Sequence, residues 1–399
     1  MAQSIPNLIK TLDDISPARV DDKERTQIIQ ALRRALDRLQ TPFERAWEMI
    51  IIQPMVYAAC QTGIDLGLWE GWRSAGGGQK SLVELVELCK KNCDPNLLRR
   101  LMRLLTGANV VEETRPDTYQ STPLSLAMGE RSLALSFQFG SQQMLPTMLE
   151  VPSYLAQNGF QEPTDAENTA YINMGSNPEK LAFFARCRGK PEIQESFVAL
   201  MANLNTWKRS WTEYFDTSTL VDEDVIKNGE TTPILVDVGG NAGVDIARFL
   251  DRHPDVPAGS VILQDVPDVI AIAKVDSRVR PMVYDFFTPQ TVRGSRMYFM
   301  HAVLHDWADP EAIRILRNLG SAFTKGYSRL LITDVVIPPE GASPFVAGVD
   351  LIMMAMLAGG SRTEAAWVKL LNSAGFKLVK VWKDTLGIEC VIEAELADD

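Results

Sequence analysis

The part of the sequence that most restricts the fold begins at Pro233, where short β-branched runs alternate with helical stretches. The strand-like runs are residues 234–238, 261–263, 297–300 and 330–336, and the helix-like stretches are residues 246–250 and 312–319. This alternation is typical of βαβ units, which build a parallel sheet covered by helices. Ligands of such sheets bind at the carboxyl ends of the strands. The pattern therefore predicts an α/β domain and indicates where its binding site lies.

The first 130 residues have a different pattern, in which helices are followed by a short hairpin. Apolar side chains recur at three- and four-residue spacings over residues 28–39, and Ser81 opens a capping box. A leucine-rich helical stretch covers residues 95–107, and two β-like runs follow over residues 110–121. This order is typical of a winged-helix arrangement. We predict a helical, winged-helix-like domain over residues 1–130.

The second predicted domain covers residues 131–399. Its leading helices, up to about residue 215, are rich in Phe, Tyr, Met and Trp. Such side chains line most small-molecule pockets, although some of them must belong to the core. We predict substrate-lining helices followed by the α/β sheet.

The overall charge limits the partners of the chain. Forty basic and fifty-one acidic residues give a net charge of −11, so the protein repels phosphate backbones and anionic membranes. The apolar stretch over residues 345–360 contains Asp350 and is shorter than the ~20 residues that span a bilayer. The N-terminus lacks the pattern of a secretory signal. These features predict a cytoplasmic protein without nucleic-acid or membrane partners.

The five cysteines are an odd number scattered over a long chain, which favours a reducing compartment over a disulfide framework. Cys89 and Cys93 are the only close pair. No second pair of thiols or imidazoles completes a tetrahedral site around them. The sequence therefore predicts no metal.

A glycine-rich turn follows the first strand, in the run Asp-Val-Gly-Gly-Asn-Ala-Gly over residues 237–243. Glycines let the backbone turn sharply and approach a ligand, and the following helix offers unpaired N–H groups. A nicotinamide fingerprint would need glycine where Val238 stands, and Asp237 would place negative charge near a pyrophosphate. A nucleoside that bears a cationic amine avoids this conflict, because the amine can pair with Asp237.

Two further acids follow the next strands of the predicted sheet. Asp265 comes after residues 261–264, where a carboxylate can accept hydrogen bonds from both ribose hydroxyls. Asp285 is followed by Phe286, an arrangement that offers an acceptor and a flat wall to an adenine ring. Each acid alone could be a loop cap. Acids at three consecutive strand ends favour a nucleoside site.

Four segments carry a resemblance to a known family: residues 236–243, 264–267, 285–287 and 305–307, the last of which reads His-Asp-Trp. Together they resemble the plant and fungal O-methyltransferases related to caffeic acid O-methyltransferase, over nearly the whole chain. The resemblance implies a Rossmann-like class I methyltransferase sheet, a homodimer formed through the N-terminal domain, no metal, and S-adenosylmethionine as cofactor. The residues it implies at the cofactor are Asp237, Gly239, Gly240, Asn241, Gly243, Asp265, Val266, Asp285, Phe286 and His301.

The same resemblance suggests how the chemistry is done. The sequence contains three histidines, and His305 is the one that matches the family's general base. A neutral imidazole suits this task because its pKa is about 6.5, whereas a phenol, with a pKa of about 10, is protonated at neutral pH. The resemblance makes Asp306 part of the site and Asp334 the acid that orients the imidazole.

Two departures from the family pattern bear on the base. Relatives often have a Glu just before Arg-Thr, where this chain has Ser361, and they have Arg or Lys where this chain has His301. Both changes alter the charge near the predicted site. They leave the predicted base in place.

We therefore expect an O-methyltransferase that acts on a phenolic or enolic hydroxyl of a small secondary metabolite such as a polyketide. An alternative on the same fold is a pericyclase or isomerase, in which the cofactor supplies only positive charge. Retention of His305 argues against that alternative, and Ser361 argues for it. A third interpretation, DNA binding or scaffolding through the winged-helix region, conflicts with the acidic net charge.

Overall fold

The computed structural model describes residues 5–16, 20–229, 232–384 and 387–398. The chain divides into two compact units, Met1–Gln138 and Phe139–Asp399. The sequence-based boundary at residue 130 stays a prediction; the division between compact units falls later, inside the helix Arg131–Phe139. Within the described ranges, no helix is long and apolar enough to cross a bilayer.

The first unit is mainly helical. Its helices are α1 (Ile5–Asp13), α2 (Asp22–Leu39), α3 (Pro42–Trp47), α4 (Gln53–Leu66), α5 (Leu68–Ser74), α6 (Leu82–Leu88), α7 (Pro95–Gly107), α8 (Pro123–Ala127) and the start of α9 (Arg131–Phe139). A π-helical segment, Glu48–Ile52, joins α3 to α4. Ser81 and Glu84 form the predicted capping box at the start of α6, and α7 ends at Gly107 as its pattern indicates.

The predicted hairpin is also present. Strands β2 (Val111–Arg115) and β3 (Thr118–Ser121) pair antiparallel, and β3 also pairs with β1 (Gln79–Ser81). Asp117 turns the chain between β2 and β3 with a φ of 56°, a conformation that Asp tolerates better than most residues. Helices followed by this small sheet confirm the winged-helix-like prediction.

The second unit begins with helices and continues into an α/β sheet. After a π-helical segment, Gly140–Met144, its helices are α10 (Leu145–Gln157), α11 (Ala170–Asn173), α12 (Phe183–Gly189), α13 (Pro191–Trp207), α14 (Trp211–Tyr214), α15 (Glu223–Asn228), α16 (Val244–Arg252), α17 (Pro267–Ile270), α18 (Asp309–Gly320), α19 (Pro344–Leu357) and α20 (Glu364–Ser373). Its strands are β4 (Leu235–Val238), β5 (Val261–Asp265), β6 (Val279–Val283), β7 (Met297–His301), β8 (Arg329–Asp334), β9 (Val336–Ile337), β10 (Arg362–Thr363), β11 (Phe376–Lys383) and β12 (Cys390–Leu396).

The main sheet of the described residues has seven strands in the order β11-β12-β8-β7-β4-β5-β6. Strands β6, β5, β4, β7 and β8 are parallel, as the alternating pattern predicts. Strand β12 runs antiparallel to both β8 and β11, so the sheet is mixed. The antiparallel pair was not predicted, because β11 carries a lysine at every third position, which breaks the two-residue alternation of a strand.

Helices cover both faces of this sheet. Alternate residues of each strand point to opposite faces. Val236 and Tyr298 accordingly pack into one buried apolar cluster, and Leu235 and Phe299 pack into another. Burial on both faces explains why β4 and β7 read as nearly continuous apolar runs. Polar side chains are therefore left at the strand ends.

Candidate active site

The predicted glycine-rich turn connects β4 to α16. Gly239 has a φ of 76°, a left-handed conformation that favours glycine. A side chain on Gly240 would place its Cβ 2.4 Å from the carboxyl carbon of Asp237, so the close approach of this loop to Asp237 requires glycine. Gly243 is the N-terminal cap of α16. The loop thus brings backbone N–H groups and the Asp237 carboxylate to one place.

Asp237 is the acid of the site whose carboxylate lacks hydrogen-bond partners among the described residues. Its side chain is fully buried, and neither carboxylate oxygen has a hydrogen-bond partner among the described residues. Burial raises the pKa of Asp237 well above its usual range, and the carboxylates of Asp245 and Asp265 raise it further, whereas His301 lowers it. A buried carboxylate without a partner is costly. A bound cationic group would remove that cost, which fits the amine of the predicted cofactor.

Asp265 lies at the end of β5, beside the glycine-rich turn. One carboxylate oxygen accepts the N–H of Asn241 at 2.9 Å, and the other accepts the N–H of Val266 at 2.8 Å. Burial raises the pKa of Asp265, and these two hydrogen bonds partly offset the rise. An ionised carboxylate has about four acceptor sites, so both oxygens can also accept ribose hydroxyls.

Asp285 and Phe286 follow β6 at the same edge of the sheet. Asp285 is exposed and accepts the N–H of Phe287 at 2.9 Å. The Phe286 ring is half-buried and packs edge-on against Trp307 with 6.0 Å between ring centroids. Asn318 donates from its side chain to the Phe286 carbonyl at 3.1 Å. The structure therefore brings the cofactor candidates on β4, β5 and β6 to neighbouring strand ends, as the parallel sheet requires.

His305 lies in a short 3₁₀ turn, Leu304–Asp306, after β7. Its Nδ1 lies 2.8 Å from Oδ1 of Asp334, a fully buried residue at the end of β8. A carboxylate can only accept, so Nδ1 carries the proton and the neutral ring has its lone pair on Nε2. Nε2 lies 3.4 Å from Oδ1 of Asp306. The three predicted catalytic residues are thus in contact.

The charges around His305 change its pKa and that of its neighbour. Burial lowers the pKa of His305, but the negative charges of Asp334 and Asp306 outweigh burial and raise it to about 9. Burial raises the pKa of Asp306 to about 7, against the lowering effect of His305. Asp334 also accepts the N–H of Val335 at 2.7 Å, while its second oxygen has no described partner.

The turn that carries His305 is held by the segment after α19. Gly360 donates its N–H to the His305 carbonyl at 2.8 Å. Arg362 is buried and donates to the carbonyls of Leu304 at 2.7 Å and Trp307 at 2.8 Å, and its Nε bonds Asp309. A guanidinium presents several donors in a fixed plane, so one side chain fixes the turn on both sides of His305.

Ser361, which replaces the family Glu, lies in the same segment. Its backbone N–H donates to Oδ1 of Asp350 at 2.8 Å, and its buried hydroxyl has no described partner. A carboxylate is therefore present beside this position, supplied by α19 instead of residue 361.

His301, a predicted cofactor-binding residue, has both ring nitrogens in contact with protein carboxylates. Nδ1 lies 2.7 Å from Asp245 and Nε2 lies 3.2 Å from Glu389, which also pairs with Lys208. Asp245, Glu389 and Lys208 were not predicted. Asp245 could have been noticed, since it is an acid in the first turn of a helix that follows the glycine-rich loop. Glu389 carries no such signal.

The aromatic helices of the second unit are divided between core and surface. Phe139, Tyr171, Met174 and Phe183 are buried in one cluster with residues of α19, whereas Phe160 is exposed. Across the described ranges, no group of three or more His, Cys, Asp or Glu side chains is arranged to hold a metal ion.

Comparison with known proteins identifies the family. A model described as the O-methyltransferase domain matches residues 175–377, and one described as the O-methyltransferase dimerisation domain matches residues 51–129. O-methyltransferase ATR12 of Stachybotrys chlorohalonatus is 42% identical over 400 residues, which cover 99% of this chain and 100% of the relative. The chain belongs to the O-methyltransferase family. This methyltransferase uses S-adenosylmethionine, and the predicted fold class is confirmed.

Solved structures similar to the methyltransferase include proteins with a different named activity. A pericyclic reaction enzyme superposes with a TM-score of 0.87 at 26% identity, covering 98% of this chain and 99% of that chain. LepI in complex with S-adenosylmethionine superposes with a TM-score of 0.86 at 26% identity, covering 98% of each chain. The fold is thus compatible with more than one chemistry.

Proposed function

We propose that this enzyme transfers the methyl group of S-adenosylmethionine to a phenolic or enolic hydroxyl of a small secondary metabolite, such as a polyketide, with His305 as general base. The single observation that carries the proposal is the 2.8 Å contact between His305 Nδ1 and the buried Asp334. This contact directs the lone pair of the neutral ring to Nε2, the nitrogen that is not held by Asp334.

Cofactor binding is assigned to the strand ends. Asp237 receives the cationic amine, Asp265 accepts the ribose hydroxyls, and Asp285 with Phe286 receives the adenine. The same space is surrounded by the Val266 backbone and by the glycine-rich loop, which contains Gly239, Gly240, Asn241 and Gly243. Support comes from the unpaired, buried carboxylate of Asp237 and from the position of the other acids on neighbouring parallel strands.

The protein residues then have separate tasks. The cofactor, when bound, supplies an electrophilic methyl group. His305 Nε2 accepts the proton of the acceptor hydroxyl as the oxygen becomes nucleophilic. Asp334 holds the ring by its Nδ1–H and stabilises the imidazolium that forms. Asp306, 3.4 Å from Nε2, adds negative charge on the side where the proton arrives.

A second candidate is a pericyclase that uses the same cofactor without methyl transfer. Two observations favour it: the similarity to a pericyclic reaction enzyme, and a His305 pKa of about 9, which keeps the imidazole protonated at neutral pH. An imidazolium donates hydrogen bonds and cannot accept a proton. In this candidate His305 would polarise a substrate oxygen.

The test is to incubate the purified enzyme with methyl-labelled S-adenosylmethionine and a panel of phenolic and enolic metabolites, and to analyse products by mass spectrometry. We expect a product that has gained one labelled methyl group. An unlabelled isomer of a substrate would contradict the transferase and support the pericyclase. The labelled product should be lost in His305→Gln and kept in the matched control His253→Gln, which changes a histidine outside the site.

We also propose that the enzyme acts as a homodimer. The dimerisation model matches residues 51–129, and α1, α2, α3 and the following π-helical segment bury none of their described residues. The large exposed apolar side chains of α2, α3 and the π-helical segment include Leu32, Leu36, Leu39, Phe43, Trp47, Met49 and Ile50. Light scattering should give twice the mass of the chain, and Leu36→Glu combined with Leu39→Glu should reduce it.

A further inference from the structure

The other histidine near the strand ends, His301, is held in a different way from His305. It ends β7, and its side chain is 13% exposed. Nδ1 lies 2.7 Å from Oδ2 of Asp245, and Nε2 lies 3.2 Å from Oε2 of Glu389. A hydrogen bond to a carboxylate needs a donor, and only the imidazolium form has a proton on both nitrogens. The two contacts therefore hold His301 as a cation.

Neighbouring elements fix the two carboxylates that contact His301. Glu389, just before β12, pairs with Lys208, which directly follows α13. Asp245 lies in the first turn of α16, and its Oδ1 is 3.7 Å from Nη1 of Arg248. Burial lowers the pKa of His301, but Asp245 and Glu389 raise it to about 10. The ring is thus anchored from two sides and keeps its charge over the neutral pH range.

The charge of His301 acts on the unpaired carboxylate of Asp237. Strands β4 and β7 are neighbours, and Asp237 is paired with Phe299, two residues before His301. Asp245 and Asp265 both disfavour the ionised form of Asp237, as does burial, and His301 is the cation that opposes them. Without that cation, Asp237 would be a buried acid with only other acids beside it, and it would hold its proton still more firmly.

We propose that His301 is a positioning residue for cofactor binding: a fixed imidazolium that makes Asp237 easier to ionise, so that Asp237 can receive the amino group of S-adenosylmethionine. The His301 ring acts through Asp237, because both of its nitrogens already contact carboxylates. The proposal rests on the role proposed above for Asp237. It does not depend on the acceptor or on methyl transfer.

The first experiment measures affinity for S-adenosylhomocysteine by calorimetry, since this ligand carries the same amino group and no sulfonium. An opposite charge shifts a carboxyl pKa by about 1 to 3 units, and each unit is tenfold, so His301→Gln should bind about tenfold or more weakly at pH 6.5. His301→Lys restores a cation and should bind within about threefold of wild type. His253→Gln is the matched control and should be unchanged.

The second experiment separates lost charge from lost packing. A higher pH ionises Asp237 even without His301, so the ratio of dissociation constants, His301→Gln over wild type, should fall towards one between pH 6.5 and 8.5. Using the ratio cancels the titration of the ligand amine. Adding Asp245→Asn to His301→Gln should also recover affinity, because it removes one of the acids that disfavour ionised Asp237.

Three outcomes would overturn the proposal: wild-type affinity in His301→Gln, equal losses in the Gln and Lys variants, or a ratio that stays constant with pH. Histidine labelled with ¹⁵N gives a direct check even if a variant folds poorly, because the wild-type chain has three histidines and His301 should give an imidazolium signal at pH 7. Asp237→Asn separates the two proposals: wild-type affinity in that variant would refute the role of Asp237 itself, and a loss seen only there would refute the role of His301.

Discussion

His301 and His305 are four residues apart, yet their surroundings differ. His301 has a carboxylate at each ring nitrogen, at 2.7 and 3.2 Å. His305 has Asp334 at 2.8 Å from Nδ1, while its Nε2 makes no hydrogen bond to a described residue and lies 3.4 Å from Asp306. A ring with two bound nitrogens is fixed as a cation, whereas a ring with one bound nitrogen can exchange a proton. Residue type alone therefore does not assign the base.

The largest expected effect is on the histidine that can exchange a proton. His305→Ala should lower kcat by roughly 10² to 10⁴, because the acceptor hydroxyl loses its base. Affinity for S-adenosylhomocysteine should stay within about twofold, since the variant leaves the strand-end acids intact. Turnover and calorimetry measure the two quantities. Wild-type turnover in His305→Ala would show that His305 is not the base, and the two histidines would then not differ in function.

Asp334→Asn should make His305 less well oriented and less basic. Loss of a hydrogen bond to a charged group costs about 1.5–3 kcal/mol, so kcat should fall by about 10-fold to 10². The base must be neutral, so the wild-type rate should rise with pH up to the His305 pKa of about 9. Asp334 raises the pKa of His305. In Asp334→Asn the rise of the rate with pH should therefore occur at lower pH. If the rate of Asp334→Asn rises at the same pH as the wild-type rate, a group other than His305 controls the pH dependence.

Asp265→Ala should affect binding more than chemistry. The variant removes the acceptor for the ribose hydroxyls and should weaken S-adenosylhomocysteine binding by about tenfold, the effect of ~1.4 kcal/mol. The kcat at saturating cofactor should change less. Unchanged affinity would refute the nucleoside assignment. Asp276→Ala, at an exposed acid paired with Arg278, is the control.

Arg362→Lys tests whether the turn must be held as observed. Lysine cannot reproduce the donors that reach the Leu304 and Trp307 carbonyls, so kcat should fall about threefold to tenfold and the free energy of unfolding by about 1–2 kcal/mol. Denaturant titration and turnover measure both. A stability loss with unchanged kcat would show that the turn places His305 without Arg362.

The smallest effect is expected at the third histidine. His253 caps the C-terminus of α16 and its Nε2 contacts Oγ1 of Thr217 at 2.7 Å. Replacement by Ala should cost about 1 kcal/mol of stability, the usual value of one hydrogen bond, and leave kcat within about twofold. A large loss of activity in His253→Ala would mean that replacing a histidine damages the enzyme in general, so the losses in the other variants would not locate the active site.

Much of the fold was predictable because its signals are local. The capping box at Ser81, the end of α7 at Gly107 and the parallel core strands each depend on residues close in sequence. The β11-β12 pair was missed, because β11 mixes lysines with apolar residues and pairs with a strand further along the chain. Its addition makes the sheet mixed and places Glu389 beside His301.

For the site, the sequence by itself determined which residues stand at the strand ends, because an alternating α/β pattern directs all parallel strands to one edge. That pattern predicted Asp237, Asp265, Asp285 and His305 as neighbours. Only the tertiary structure decided what each side chain contacts. His301 meets Asp245 and Glu389 across 56 and 88 residues of sequence, and His305 meets Asp334 across 29. Hydrogen-bond partners over such separations are set by sheet order and helix packing, which no local pattern of residues specifies.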